Sequence, residues 1–233
     1  MSIDPASLRA ISFDLDDTLW ETPPVIARAE RAMYAWLDEH HPRITARYSE
    51  RELVELRQRI AREEPRLGRD LGVLRKVTLR RAARACGCPE SLAEPAFAAF
   101  YAWRNRVTLF EHALPTLEKL ARRYPLVAVT NGNSDLAAIG IGQHFRLCLS
   151  PSLARRPKPH PDLFDDLCAA LALRAEQLLH VGDNPRTDVG GARAAGARTA
   201  WFNPAGARWP AELRRAEVEI TCLSELPRLL DAE

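Results

Sequence analysis

The sequence predicts a three-layer α/β fold in which a parallel sheet is interrupted, after its first strand, by an inserted helical domain. Beyond residue 114, short apolar runs alternate with helical patterns, which is typical of a parallel sheet with covering helices. One apolar strand stands far upstream, at residues 11–13, and a long stretch of helical periodicity separates it from the others. Since this strand has no other sheet to join, it is expected in the same core.

The composition is that of a folded globular protein. The chain has 233 residues, of which 46% are hydrophobic and 27% charged, with a net charge of +2. Basic residues are interspersed with acidic ones, which gives no electrostatic case for nucleic-acid binding. The first ten residues lack the apolar core of a signal peptide, and no apolar run is long enough to span a bilayer. We therefore expect a cytoplasmic protein with no nucleic-acid or membrane partner, either a monomer or a weak homodimer.

Cysteine usage argues against disulfides and against a zinc site. The number of cysteines is odd, and no two of them form a C-x-x-C pair. We expect reduced and mostly buried thiols. These residues are Cys86, Cys88, Cys148, Cys168 and Cys222.

The inserted helical domain, or cap, is expected over residues 21–107, which leaves residues 1–20 and 108–233 for the α/β core. Prolines, a Ser-x-x-Glu capping box and glycines mark the boundaries of its helices. The expected cap helices run from Pro23 to His40, from Ser49 to Pro65, from Asp70 to Ala85 and from Pro89 through Trp103.

After the cap, the core is expected to alternate helices and strands. The expected helices are 115–123, 134–139, 161–171, 187–195 and one at the C-terminus. The expected strands are 126–130, 147–150, 178–181, 199–202 and 218–221.

Carboxylates cluster at the end of the first strand. The run ISFDLDDTLW places Asp14, Asp16, Asp17 and Thr18 directly after buried-strand residues. Open α/β sheets bind ligands at this end of their strands, and Asp14 and Asp16 are spaced to share a cation. The alternative is a strand that simply runs into an acidic turn.

Polar residues also follow later strands. LVAVT ends at Thr130, before Asn131 and Gly132, whose amides can donate to phosphoryl oxygens; the alternative is a plain Asn-Gly turn. Lys158 lies in a proline-flanked loop, where it is either a placed charge or a solvated lysine. LLHV runs into Gly182, Asp183 and, further on, Asp188, which suits a metal site, although Asp188 could be a simple helix N-terminal charge.

In this order, DLDDT, TNG, a Lys in a Pro-flanked loop and GD-x-x-x-x-D resemble the haloacid-dehalogenase-like (HAD) superfamily of phosphohydrolases. The motifs span residues 13–188, and only the first is strong by itself. The resemblance implies a Rossmann-like HAD core with a helical cap of the C1 type, and a Mg²⁺-dependent phosphatase acting on small phosphorylated metabolites.

Site roles follow from this resemblance residue by residue. Asp14 is implied as the nucleophile that forms an aspartyl-phosphate, and Asp16 as the general acid and base. Asp14 and Asp183 are implied as carboxylate ligands of Mg²⁺, with Asp16 contributing its main-chain carbonyl. Asp188 is implied to lie behind these ligands or to bind the ion weakly. The groups implied to hold substrate phosphate are Asp16, Asp17, Thr18, Thr130, Asn131, Gly132 and Lys158, and Lys158 also offsets negative charge during catalysis.

A finer likeness covers FDLDDTLW, Trp103 to Arg106, PLVAVTNGN and LLHVGDNPRTDVGGA, which are similar to bacterial flavin-pathway members of the superfamily. Those enzymes dephosphorylate 5-amino-6-(5-phospho-D-ribitylamino)uracil or flavin mononucleotide (FMN). Arg104 and Arg106 are either contacts to such a substrate or exposed arginines at a helix end.

Several other functions stay open at this point. Carbon–halogen hydrolases of the same ancestry lack the second Asp of the first motif, so Asp16 favours phosphate chemistry. A sugar-phosphate mutase, or a nucleotide or sugar phosphatase, shares all four motifs. A phosphorylation-dependent signalling module also uses acidic residues, a Thr and a Lys at strand ends, but its compact fold has no helical insert; a non-catalytic binding role is the last alternative.

Overall fold

The computed structural model describes residues 3–232, and its six strands form one parallel sheet. The strands are β1 (Ala10–Phe13), β2 (Leu126–Val129), β3 (Phe145–Leu149), β4 (Leu178–Gly182), β5 (Arg198–Phe202) and β6 (Val218–Ile220). Their order in the sheet is β3-β2-β1-β4-β5-β6, so β1 lies centrally although it comes first in the chain. The predicted α/β three-layer fold is confirmed.

Helices fill the intervals between the strands and most of the region after β1. They are α1 (Thr22–His40), α2 (Pro42–Arg47), α3 (Glu50–Glu63), α4 (Leu71–Ala85), α5 (Ala93–Arg104), α6 (Ala113–Ala121), α7 (Leu136–Ile139), α8 (Asp162–Leu171), α9 (Gly190–Ala194) and α10 (Glu225–Leu229). Among the described residues, no helix combines the length and the apolar character needed to cross a membrane.

The chain divides into two compact units. One contains the sheet and comprises the described residues up to 21, then 108–132 and 136 onwards. The other is helical and comprises 22–107 together with 133–135. The three residues 133–135 follow the end of β2 by only a few positions, yet they pack with the helices; Asn105 in particular accepts a hydrogen bond from the backbone amide of Asp135 (2.9 Å).

The central strands are apolar because both faces of a parallel sheet are covered. Every residue of β1, β2 and β4 is buried. In contrast, β3 lies at an edge and alternates between half-buried and exposed side chains. None of the five cysteines is in a disulfide, as expected. The alternation on β3 exposes Cys148, and the other four are half-buried, so the expectation of mostly buried thiols is wrong.

The helical unit combines an apolar core with one ion-pair cluster. Its core includes Leu37, Ile60 and Phe100, which are fully buried. Glu30 accepts from the guanidinium groups of Arg57 and Arg75, each at 2.7 Å, and the Arg75 guanidinium lies 3.5 Å from the centre of the Phe100 ring. Burial would raise the pKa of Glu30, but the two guanidinium groups hold it below its usual value. The cluster ties α1, α3, α4 and α5 together.

One local expectation is confirmed and one is wrong. The first cap helix ends at His40 as expected, and Pro42 occupies the first turn of the short helix α2, where its missing N–H costs nothing. The helix expected at 187–195 is instead a π-helical turn, Pro185–Val189, followed by α9. The Asn184 side chain caps this turn by accepting from the amides of Arg186 and Thr187, and π-turns of this kind are frequent at functional sites.

Replacing Ile60 by Ala should lower the free energy of unfolding by about 2–5 kcal/mol, because a fully buried side chain leaves a cavity in the helical core. Urea titration followed by far-UV circular dichroism measures the change. Leu71→Ala, at a position 41% exposed, is the control and should change stability by no more than about 0.5 kcal/mol. Equal losses in both variants would contradict this assignment of the core.

Candidate active site

The carboxyl ends of the three adjacent strands β2, β1 and β4 carry the predicted polar residues. Thr130 follows β2, Asp14 follows β1 and Asp183 follows β4. The backbone continues the sheet at this edge, since the amide of Asp14 donates to the carbonyl of Val181 (2.9 Å) and the amide of Thr130 to that of Leu149 (3.0 Å). Residues more than 160 positions apart are therefore brought to one rim.

Lys158 is buried between two carboxylates. Its side chain is 1% exposed, and Nζ lies 2.8 Å from Asp14 Oδ1 and 2.7 Å from Asp188 Oδ1. The ammonium also donates to the carbonyl of Val129 (2.6 Å). The alternative of a solvated lysine is wrong. A charge buried at this depth is stable only when it is paired, and both partners are supplied.

The loop that carries Lys158 is held by Asn131. The side-chain amide of Asn131 donates to the carbonyl of Lys158 (2.9 Å), and the amide of Lys158 donates to Asn131 Oδ1 (2.8 Å). Gly191 in α9 allows the same loop to come close, since a Cβ there would lie 3.1 Å from the Cα of Pro159. Asn131 thus fixes the lysine loop in addition to any contact with a ligand.

Thr18 fixes Asp183. The Thr18 hydroxyl donates to Asp183 Oδ1 (3.3 Å) and accepts from the Asp183 amide (3.1 Å), while the indole of Trp201 donates to the Asp183 carbonyl (2.7 Å). On the β2 side, Thr130 is fully buried and its hydroxyl oxygen accepts from the amide of Gly132 (2.9 Å). Both threonines therefore organise the backbone at the strand ends.

Asp188 lies inside the π-turn and is 1% exposed. Its Oδ2 accepts from the amide of Asn184 (2.8 Å), and its Oδ1 lies 3.6 Å from Nε2 of His180. Gly182 is required beside it, because a Cβ at that position would overlap the carboxyl group of Asp188. These buried contacts exclude the alternative of a simple helix N-terminal charge.

Burial sets the protonation of the acidic cluster. Desolvation, with Asp188 and Asp183 nearby, raises the pKa of Asp14 to about 8 even though Lys158 opposes the shift. Desolvation and the charges of Asp188 and Asp17 raise the pKa of Asp183 to about 7. Burial also acts to raise the pKa of Asp188, but Lys158 and His180 outweigh it and hold that pKa below its ordinary value. More negative charge is gathered here than the single ammonium offsets.

The cluster fits a divalent cation. Carboxylate oxygens of Asp14, Asp183 and Asp188 all lie within 4.8 Å of one another. Such hard oxygen donors suit Mg²⁺, and a dication would relieve the same repulsion that raises the pKa of Asp14 and Asp183.

Asp16 and Asp17 lie in the turn that follows β1. The indole of Trp20 donates to Asp16 Oδ1 (3.0 Å), and the amide of Asp17 donates to the carbonyl of Trp20 (2.9 Å). Asp17 adopts a positive φ of 61°, a conformation that aspartate tolerates better than most residues.

In the helical unit, Arg104 is 1% exposed, so the alternative of an exposed helix-end arginine is wrong for it. Arg106 is exposed, and its guanidinium lies 4.2 Å from the centre of the Trp103 ring.

Sequence reasoning missed four side chains that support this site: Ser12, Trp20, His180 and Trp201. Ser12 and His180 are directly paired across β1 and β4, and Ser12 Oγ lies 2.8 Å from His180 Nδ1. A polar residue in each of two buried strands was the available signal, because buried polar groups need partners. Trp20 and Trp201 gave no such signal, because a tryptophan next to or within an apolar strand is expected simply to pack in the hydrophobic core.

Comparison with known proteins decides the family. Residues 8–196 match the model of the haloacid dehalogenase-like hydrolases. The chain belongs to this family.

Among curated members, 5-amino-6-(5-phospho-D-ribitylamino)uracil phosphatase YigB of Escherichia coli (strain K12) is 33% identical over 96% of each chain. Phosphoglycolate phosphatase of Pectobacterium atrosepticum is 31% identical, covering 83% of this chain and 79% of its own. A crystal structure of a 2-haloacid dehalogenase from Pseudomonas syringae pv. Tomato DC3000 superimposes with a TM-score of 0.90 at 36% identity, covering 96% of this chain and 98% of that one. Its relatives thus include proteins named as phosphatases and a protein named as a dehalogenase.

The raised pKa of Asp183 has a consequence for stability. The pKa of Asp183 is about 7 in the folded protein and 3.8 in the unfolded chain. At pH values between these two, the folded protein therefore binds more protons than the unfolded chain. Stability should therefore fall as pH rises from about 4 to 7 in chelator-treated protein, and Asp183→Asn should remove part of that fall. Thermal unfolding at a series of pH values measures it. The exposed Asp165→Asn serves as the control and should keep the wild-type slope; an unchanged slope in Asp183→Asn would contradict the prediction.

Proposed function

We propose that the protein is a Mg²⁺-dependent phosphomonoesterase that hydrolyses small phosphorylated metabolites through an aspartyl-phosphate. The observation that carries this proposal is the buried contact between Asp14 and the Lys158 ammonium at 2.8 Å, within an acidic cluster that suits a dication. A carboxylate nucleophile and a phosphate monoester are both anionic, so their approach requires positive charge placed at the site in advance.

In the first half-reaction, a carboxylate oxygen of Asp14 attacks phosphorus and the bond to the leaving oxygen breaks. The protonated carboxyl group of Asp16 gives its proton to that oxygen, which leaves as an alcohol. Lys158 holds Asp14 in place and offsets the charge that gathers between nucleophile and phosphoryl group. We assign further phosphoryl contacts to Thr18, Thr130, Asp17 and the amides near Asn131 and Gly132.

In the second half-reaction, water attacks the phosphorus of the aspartyl-phosphate and gives a proton to Asp16, now a carboxylate. The bond between phosphorus and Asp14 breaks, which releases inorganic phosphate and restores both carboxyl groups to their starting states. One ester and one water are consumed, and one alcohol and one phosphate are formed.

We assign the metal to the carboxylates of Asp14 and Asp183 and the main-chain carbonyl of Asp16, with Asp188 behind them beside Lys158. When bound, Mg²⁺ supplies electrostatic stabilisation of the phosphoryl oxygens. The fit of the three clustered carboxylates supports this assignment.

Asp14→Asn should reduce turnover of 4-nitrophenyl phosphate by at least about a thousandfold, because an amide oxygen cannot form the acyl-phosphate intermediate. Release of nitrophenolate in the presence of MgCl₂ measures the effect. Wild-type activity should disappear with a chelator and return with Mg²⁺. Turnover that survives Asp14→Asn would overturn the mechanism, and turnover that survives chelation would overturn the metal assignment.

For the substrate we propose 5-amino-6-(5-phospho-D-ribitylamino)uracil or FMN. The support is the name of the relative from Escherichia coli, which is 33% identical across 96% of both chains.

We expect kcat/KM for the ribitylaminouracil phosphate or FMN to exceed that for nucleoside monophosphates, sugar phosphates and phosphoglycolate by about tenfold or more, a difference of about 1.4 kcal/mol in transition-state binding. Phosphate release across this panel, at subsaturating concentration, measures the ratios. Uniformly weak activity on every compound would contradict the substrate assignment and leave the phosphatase chemistry standing.

A haloacid dehalogenase is the second candidate, because the Pseudomonas syringae structure with that name shares 36% of its sequence with this chain. Displacement of a halide needs no proton on the leaving group, so Asp16 would have no function in it. Release of halide from a 2-haloacid, in an assay without Mg²⁺, distinguishes the two. A phosphoenzyme that lasts for minutes without turnover would instead favour the signalling module. Transfer of the phosphoryl group from one sugar hydroxyl to another would favour the mutase.

A further inference from the structure

Trp20 is held by its burial, by backbone contacts and by one side-chain hydrogen bond. Its side chain is fully buried, and its backbone is tied to two segments of the sheet unit. The amide of Asp17 donates to the Trp20 carbonyl (2.9 Å), and Trp20 forms an antiparallel bridge with Leu109, next to which Phe110 donates to the carbonyl of Leu19 (2.9 Å). The backbone that carries the indole is therefore held by both segments.

The single polar atom of this ring is directed at a site residue. Nε1 of Trp20 donates to Oδ1 of Asp16 at 3.0 Å. An indole N–H is a donor only, and when buried it requires an acceptor. Asp16 and Trp20 are also paired as a bridge across the turn, so backbone and side chain place the same two residues together.

We propose that Trp20 is a positioning residue for proton transfer, whose indole N–H holds the carboxyl group of Asp16 in the orientation from which it serves the leaving group and then the attacking water. This inference rests on the proposed phosphomonoesterase function. Trp20 acts through Asp16 and takes no part in bond formation. Its removal should misplace the acid and base while leaving Asp14, Lys158 and Asp183 in position, since those residues are held by contacts that do not include the indole.

The two half-reactions respond differently to such a change. With 4-nitrophenyl phosphate, the nitrophenolate leaves without a proton, so formation of the aspartyl-phosphate does not need Asp16. With an alkyl phosphate, the alkoxide must be protonated as it leaves. Hydrolysis of the aspartyl-phosphate needs Asp16 as a base whichever substrate formed it.

The test is Trp20→Phe, which keeps a buried aromatic ring and deletes the N–H. We expect kcat/KM for 4-nitrophenyl phosphate to stay within about twofold of wild type. For the alkyl phosphate that the wild type hydrolyses fastest, kcat/KM should fall by about tenfold or more. Rapid mixing with 4-nitrophenyl phosphate should reveal a burst of nitrophenolate equal to the enzyme concentration, followed by slow turnover, because the phosphoenzyme accumulates.

Trp209→Phe is the matched control. The indole of Trp209 also donates one hydrogen bond, to the carbonyl of Leu213 at 2.8 Å, outside the acidic cluster. It should keep the wild-type ratio between the two substrate classes and show no burst. If the circular dichroism spectrum shows that Trp20→Phe is unfolded, Trp20→Tyr replaces it in the comparison. Tyrosine also keeps a buried aromatic ring, and its hydroxyl donor is not at the position of the indole N–H.

An equal fall for both substrate classes, or no change in either, in a folded Trp20 variant would overturn the inference. Failure of the proposed function is a separate result, because it is seen in the wild type as absence of turnover for every phosphate monoester. A working wild type with an unaltered leaving-group ratio in Trp20→Phe rejects the positioning role alone.

Discussion

The site depends on one buried ammonium. Lys158 lies between Asp14 and Asp188 at 2.8 and 2.7 Å, and Asp183 belongs to the same cluster of oxygens. With all three carboxylates ionised, the one ammonium would leave two negative charges without compensation. Burial and this excess of negative charge together raise the pKa values of Asp14 and Asp183 when no other cation is bound. Burial lowers the pKa of His180, so its ring stays neutral and adds no positive charge. A bound dication of the kind proposed for this site would supply two positive charges and so compensate an acidic cluster built into a buried rim.

The sheet order explains how this cluster assembles from distant parts of the chain. Because β1 lies between β2 and β4, the residues that follow these three strands meet at one edge. Lys158 comes from the loop before α8, and Asn131 at the end of β2 holds that loop through both polar atoms of its amide group. The helical insert enters after the turn that follows β1, so its addition leaves the strand pairing unchanged. The clustered polar groups are thus fixed by elements of the sheet unit that the insert does not interrupt.

The sequence was sufficient for the architecture and for the residues at the strand ends. Apolar runs, turn residues and motif order place Asp14, Thr130, Lys158 and Asp183 correctly, because each follows or precedes an element with a strong local pattern. It was insufficient where the outcome depends on packing between segments. The π-turn around Asp188 arises from the Asn184 cap and the space left by Gly182, and neither feature distinguishes a π-turn from the start of an α-helix. The pairing of Ser12 with His180 depends on strand register, which a single sequence does not reveal.

Asp14 and Asp16 are two residues apart, yet the structure gives them different surroundings, and this difference suits two different roles. Asp14 is 7% exposed and paired with the buried ammonium of Lys158, which suits a nucleophile held in one orientation. Asp16 is half-buried and accepts a hydrogen bond from the neutral indole N–H of Trp20. A neutral donor can orient a carboxyl group without favouring its ionised form as strongly as a fixed positive charge would. Separate environments for neighbouring carboxylates are a general way to divide acid–base and nucleophilic work within one site. The turn that follows β1 places Asp14 against Lys158 and Asp16 against Trp20, and these separate contacts fit the two roles proposed for them.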